Sequence, residues 1–229
     1  MTSTVTGIAL EECREVLISA GSVLLDGELT VPEGASGIVL FAHGSGSSRC
    51  STRNQYVARV IQRAGVGTLL FDLLTREEEA VDMQTRHLRF DISLLAQRLV
   101  DATHWLEWKD ETNHLRPSYF GASTGGGAAL VAAAALGEKV GAVVSRGGRP
   151  DLAGDALPLV KAPTLLIVGG RDYPVIEMNR DALAELRCQK KLEIVSGATH
   201  LFEEPGTLEA VARLAAAWFV EHLSHNPER

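Results

Sequence analysis

Cysteine is scarce: Cys13, Cys50 and Cys188 are widely separated and odd in number. That excludes a disulfide framework and fits no zinc spacing, so the expectation is reduced thiols, no metal and a cytoplasmic setting. Long apolar runs are lacking as well. The longest, residues 128–136, is well short of the ~20 residues that cross a bilayer and reads as a core helix. Residues 1–5 lack the basic and apolar parts of a signal peptide. Like charge never runs beyond the three glutamates at 77–79, and the net charge is −7. A polyanion-binding surface is therefore a poor expectation, and neither nucleic acid nor membrane is an expected partner. With 45% apolar and 22% charged residues, disorder is excluded too. No repeat, low-complexity tract or linker divides the chain, so one α/β domain over residues 1–229 is expected.

What is present is an alternation of short apolar strands and helical patterns. Residues 14–31 read as two strands around a turn at Ala20-Gly21-Ser22. Residues 37–42 are almost wholly apolar, the mark of a strand covered on both faces, and lead into His43-Gly44-Ser45-Gly46-Ser47-Ser48. A helix over 56–64, a second buried strand over 66–72 and a polar, Glu-rich loop over 75–83 follow. Ile92, Leu95, Leu99, Ala102 and Leu106 recur at three- and four-residue steps, predicting a long helix over 87–108. Pro117 stands just ahead of a strand at 118–120, where proline is tolerated. Strands over 140–145, 164–168 and 192–195 and helices over 175–186 and 208–222 complete the pattern. This predicts a mostly parallel sheet with helices on both faces. The connection between 145 and 164 is too short for a sizeable cap, so an open site suited to small soluble esters is expected.

Gly121-Ala122-Ser123-Thr124-Gly125 lies between a strand and an Ala-rich helix and fits G-x-S-x-G. A serine on so tight a turn projects its hydroxyl from the sheet, the glycines let helix and strand approach closely, and the helix N-terminus offers free N–H groups to a developing oxyanion. Ligands of such sheets bind at the carboxyl ends of the strands. Four of those ends carry the 43–46 loop, Ser123, Asp172 and His200, in the order nucleophile, acid, base. Ser123 is then the nucleophile, His200 the general base and acid, and Asp172 the group that orients His200. Asp172 could instead cap the helix ahead of Pro174, and Asp151 is the rival acid. Backbone N–H groups of Ser45 and Thr124 are the expected oxyanion donors, with Gly46 an alternative to Ser45. His43, Gly46, Arg49 and Arg146 are candidate substrate contacts. His43 is expected to shape its loop by hydrogen bonding, and Arg49, Arg53 and Arg146 either to anchor an anionic substrate group or to form salt bridges. His87, His104, His114, His222 and His225 read as surface. A nucleotide-binding module is excluded by motif, since neither G-x-G-x-x-G nor a P-loop follows the first parallel strand.

The H-G-S-G-S-S loop, the G-A-S-T-G elbow and the G-G-R-D and G-A-T-H-L-F segments together resemble the dienelactone hydrolase-related branch of the α/β-hydrolase superfamily, over about residues 14–223. The resemblance implies an α/β-hydrolase fold with an eight-stranded sheet, only its second strand antiparallel, and a Ser/Cys–Asp–His triad. True dienelactone hydrolases use cysteine, and this chain has Ser123. The expected activity is a cofactor-independent serine hydrolase (a carboxylic ester hydrolase) acting on small esters or lactones through an acyl-enzyme. The same triad acting on an organophosphate triester or thioester, or a non-catalytic binding protein on this fold, are the alternatives, and a homodimer is compatible with the sequence.

Overall fold

The computed structural model describes residues 13–224. Residues 1–5 and His225 lie outside them. Eight strands form one sheet in the order β1-β2-β4-β3-β5-β6-β7-β8. A tight turn at Gly21-Ser22 joins β1 (Arg14–Ala20) to β2 (Val23–Thr30), with Gly21 at φ 60°. β2 is antiparallel to both its neighbours, and β4 (Gly67–Phe71), β3 (Gly37–Ala42), β5 (Arg116–Ala122), β6 (Val143–Arg146), β7 (Thr164–Gly169) and β8 (Lys190–Val195) pair in parallel. Only β2 runs against the rest, as the resemblance implied.

The two-residue period of the strands divides the core. In β3, Ile38, Leu40 and Ala42 join one apolar cluster and Val39 and Phe41 the other. The first is covered by α3 (Ile92–Glu107), α4 (Thr124–Leu136) and part of α5 (Tyr173–Glu185), the second by α1 (Thr52–Arg63) and α6 (Thr207–Leu223). With both faces covered, β3, β4 and β7 are buried throughout, which is why they read as continuous apolar runs. Chain order reverses between β3 and β5, so the crevice of this sheet opens where the 43–48 loop and Ser123 emerge.

Several expectations are corrected. The Glu-rich stretch is not a loop but helix α2 (Arg76–Thr85). Its capping box is complete: Glu78 N–H donates to Thr75 Oγ1 at 3.1 Å and Thr75 N–H to Glu78 Oε2 at 2.8 Å. Three acids in the first turn complement the helix dipole. Only Asp82 of this helix is buried, so no apolar stripe announced it. Glu78 also takes Arg98 Nη2 at 2.7 Å and so does more than face solvent. The long helix begins at Ile92, where Asp91 accepts from Leu94 N–H at 2.9 Å, after a 3-10 turn at Leu88–Phe90. Helix α1 starts earlier than its apolar spacing suggested, at a cap where Ser51 accepts from Asn54 N–H. Pro117 lies within β5, paired with Ile38, rather than ahead of the strand. His222 is half-buried with its ring edge-on to Trp218, while His87, His104 and His114 are exposed. Between β6 and β7 stands a 3-10 segment, Pro150–Leu159, packed on α4 and α5, and no sizeable cap. Among the described residues no helix is long and apolar enough to cross a membrane, and no acidic, His or Cys group is placed to hold a metal.

Candidate active site

Ser123 sits between β5 and α4 at φ 52°, ψ −122°, a region an L-residue rarely occupies. Three backbone bonds hold it there. Its N–H donates to Arg146 O at 3.3 Å, and its carbonyl accepts from Gly126 N–H at 2.9 Å and Arg149 N–H at 3.0 Å. Two flanking glycines make the turn sterically feasible. A Cβ on Gly121 would lie 2.4 Å from Gly125 O, and one on Gly125 would lie 2.1 Å from Ala42 O at the end of β3. Helix α4 can therefore start against two strands at once, and its first residue, Thr124, has an N–H with no acceptor inside the helix.

The base and acid arrive from the next strand ends. Gly170 N–H donates to Val195 O at 2.8 Å and Arg171 N–H to Ala198 O at 2.9 Å, tying the end of β7 to the loop that follows β8. Gly169 lets these chains touch, since a Cβ there would meet Thr199 O at 2.5 Å. The outcome is a contact of 2.6 Å between Asp172 Oδ2 and His200 Nδ1. Asp172 stands at the N-cap position of α5, yet its carboxylate makes no cap bond and is turned to His200. The rival, Asp151, is held by Arg149 through two bonds of 2.8 and 2.7 Å. His200 and Ser123 face one cavity of about 230 Å³, whose walls include Gly44, Ser45, Arg53, Asn54 and Arg146. No residue of the 150–159 segment lines it.

The remaining candidates divide. Thr124 directly follows Ser123 with its N–H at the helix start, but the Ser45 N–H already donates to Thr124 Oγ1 at 3.0 Å. The Ser45 N–H is thus engaged in the resting site. His43 is half-buried and lines the neighbouring cavity rather than that of Ser123: its Nε2 accepts from Leu73 N–H at 3.0 Å and its Nδ1 donates to Gly44 O at 3.0 Å. Burial pushes its pKa below the usual 6.5, against weaker upward pulls from Gly44 O, Asp72 and Glu79. A neutral His43 thus pins the turn into the 43–48 loop, the structural part expected of it. Gly46, at φ 70°, lines a narrow neighbouring cavity on the far side of that loop rather than the one holding Ser123. Arg49 is no substrate contact: its guanidinium pairs with Asp72, whose Oδ1 also takes the Arg49 N–H at 2.7 Å. Arg146 does reach the cavity. Asn54 was not anticipated; it is buried on α1 and accepts from Arg146 Nη2 at 3.1 Å, a contact across 92 positions that spacing could not reveal.

A strained serine on a strand-to-helix elbow, with a His–Asp pair delivered from beyond the ends of β8 and β7, defines the chain as an α/β-hydrolase-fold protein. Residues 25–223 match the model of the dienelactone hydrolase family. The chain belongs to that family. It is similar to a dienelactone hydrolase from Anabaena variabilis, with 65% identity, TM-score 0.91, and 92% of this chain and 98% of that one covered. Est1E from Butyrivibrio proteoclasticus shares the fold at 15% identity and TM-score 0.77, over 92% of this chain and 99% of that one. A Mycobacterium tuberculosis protein that carries the provisional name of a phosphoribosyl transferase is 62% identical over 210 residues, 92% of this chain. The chain spans only 46% of that relative's length.

Proposed function

We propose that this protein is a serine hydrolase that cleaves small carboxylic esters or lactones through an acyl-enzyme. The observation that carries the reading is the 2.6 Å His200–Asp172 contact facing, across one open cavity, a serine held at positive φ. Ser123 Oγ attacks the carbonyl carbon while His200 Nε2 takes its proton, and Asp172 stabilises the imidazolium that results. The oxyanion receives the Thr124 N–H, with the Ser45 N–H as second donor once the Thr124 hydroxyl turns aside. His200 then protonates the departing alkoxide, which in a lactone stays attached as the far end of the acyl chain. Water, deprotonated by His200, attacks the acyl carbon; collapse of the second intermediate returns the proton to Ser123 and releases the acid. The similarity to the Anabaena variabilis dienelactone hydrolase supports an ester or lactone as substrate.

The test is a burst assay with p-nitrophenyl acetate and butyrate, followed by intact mass. A burst with a stoichiometric acyl adduct, both lost in Ser123→Ala, is expected. No turnover and no adduct would leave a non-catalytic binding protein as the better reading. Turnover surviving in Ser123→Ala would place the site elsewhere.

A further inference from the structure

Behind the elbow, one fully buried amide reaches the turn on which both Ser123 and His200 rest. Asn179, on α5, has no exposed surface. Its Nδ2 donates to Gly148 O at 3.0 Å and to Val175 O at 2.8 Å, while its Oδ1 is buried without a partner among the described residues. Two carbonyl oxygens within that reach fix which end of the amide is nitrogen, since an oxygen there would be repelled by both. Val175 and Ile176, one turn back on the helix, belong to a small apolar cluster with Val168. A leucine has the same branched shape and no polar atom to orphan, so packing alone does not account for an amide at 179.

What the amide holds is the turn after β6. Residues 146–149 carry Ser123 from both sides, Arg146 O accepting its N–H at 3.3 Å and Arg149 N–H donating to its carbonyl at 3.0 Å. Gly147, between them, abuts the base: a Cβ there would lie 3.2 Å from His200 O and 3.6 Å from Cε1, the ring carbon between the two nitrogens. Gly147 N–H also donates to Ile167 O of β7 at 2.7 Å. Gly148 O is the remaining handle, and Asn179 takes it from the helix that Asp172 begins, about two turns further on. We infer that Asn179 is a positioning residue: it clamps the 146–149 turn to α5, and through that turn sets Ser123 and His200 at the separation that proton transfer needs. This rests on the hydrolase reading above and adds a residue to it. Asn179 does not line the Ser123 cavity, so substrate never touches it. Loosening the clamp moves the reacting groups relative to one another and leaves the binding surface in place.

The experiment compares Asn179→Leu and Asn179→Asp, with Leu186→Ala as control. Leucine removes both donors, and aspartate keeps the shape but sets a second oxygen against Gly148 O. Leu186 is 1% exposed at the far end of α5, so its truncation destabilises the same helix without touching the clamp. kcat and KM on p-nitrophenyl acetate are measured together with a thermal melt and the proton–carbon NMR signal of His200 Cε1, identified by its absence in His200→Asn. In both Asn179 variants kcat is expected to fall at least tenfold with KM within twofold of wild type, and the Cε1 signal to move. Leu186→Ala should lower Tm and keep both kcat and the signal. A merely structural role would give the Asn179 variants that same pattern, a lower Tm with kcat per folded molecule and the Cε1 signal unmoved, and this result overturns the clamp while the hydrolase reading stands. If Asn179→Leu does not fold, Asn179→Asp decides by the same readings. A Cε1 signal that moves in the variants of a protein showing neither turnover nor acyl adduct sustains the clamp and removes the hydrolase reading instead.

Discussion

Gly125→Ala is the sharpest test of how the elbow works. The added Cβ would lie 2.1 Å from Ala42 O and 2.7 Å from His43 O, backbone atoms with no rotamer to yield. Relieving the first contact to the 3.0 Å floor seen for real Cβ atoms needs a displacement of about 0.9 Å between the start of α4 and the end of β3. Thr124 and Ser123 ride on the first element and the 43–48 loop on the second, so the reacting hydroxyl and the Thr124 donor shift together relative to the Ser45 donor. A misplacement of about 1 Å at a reacting centre costs on the order of 100-fold in rate. Stability responds less, because overpacking costs ~1–3 kcal/mol while alanine regains up to ~1 kcal/mol of helix preference over glycine. The net of about 0–2 kcal/mol lowers Tm by at most ~8 °C in a chain of this size. The assay is kcat/KM on p-nitrophenyl acetate together with a thermal melt, with Gly137→Ala as control. Gly137 also has positive φ, but it faces open space at the far end of α4. That control should lose stability by about 1 kcal/mol and keep its kcat/KM. Wild-type rate and Tm in Gly125→Ala would refute the claim that this glycine exists to let helix and strand touch.

Two further outcomes follow from the site. Asp172→Asn should lower kcat on p-nitrophenyl butyrate by ~10³–10⁴-fold with little change in KM, because His200 loses the group that fixes its tautomer; a loss below tenfold, or a larger one in Asp151→Asn, would reassign the acid. Half-buried His43, its pKa lowered by desolvation, gives a pH effect of known sign. The unfolded chain takes up a proton below the ordinary 6.5 while the native one, its pKa depressed, does not, so its contribution is complete above pH 6.5 and declines as pH falls from there. The urea midpoint should fall between pH 7 and 5, with a shallower slope in His43→Asn; equal slopes would show that His43 is charged in the native protein.

Much of this protein was legible as a string. Apolar runs such as residues 37–42 and 164–168 announce strands covered on both faces, because burial on two sides leaves no place for a polar side chain. G-A-S-T-G, G-G-R-D and G-A-T-H mark strand ends, and their order along the chain is enough to propose nucleophile, acid and base, since that order follows from the winding of the sheet. Helix α2 escaped because its stability comes from a capping box and helix-end charge rather than from an apolar stripe, and periodicity registers only the stripe. What tertiary structure alone decided is which polar groups satisfy one another across the sheet. It turned Asp172 from a helix cap to His200, tied Arg49 to Asp72, and bound the Ser45 N–H to the Thr124 hydroxyl. It also left Arg146 and Arg53 at the cavity without a buried acid. Each of these joins positions 23 to 79 residues apart or, for Arg146 and Asn54, 92. A charge and its partner are matched by distance and exclusion of water, quantities that exist only once the chain has folded.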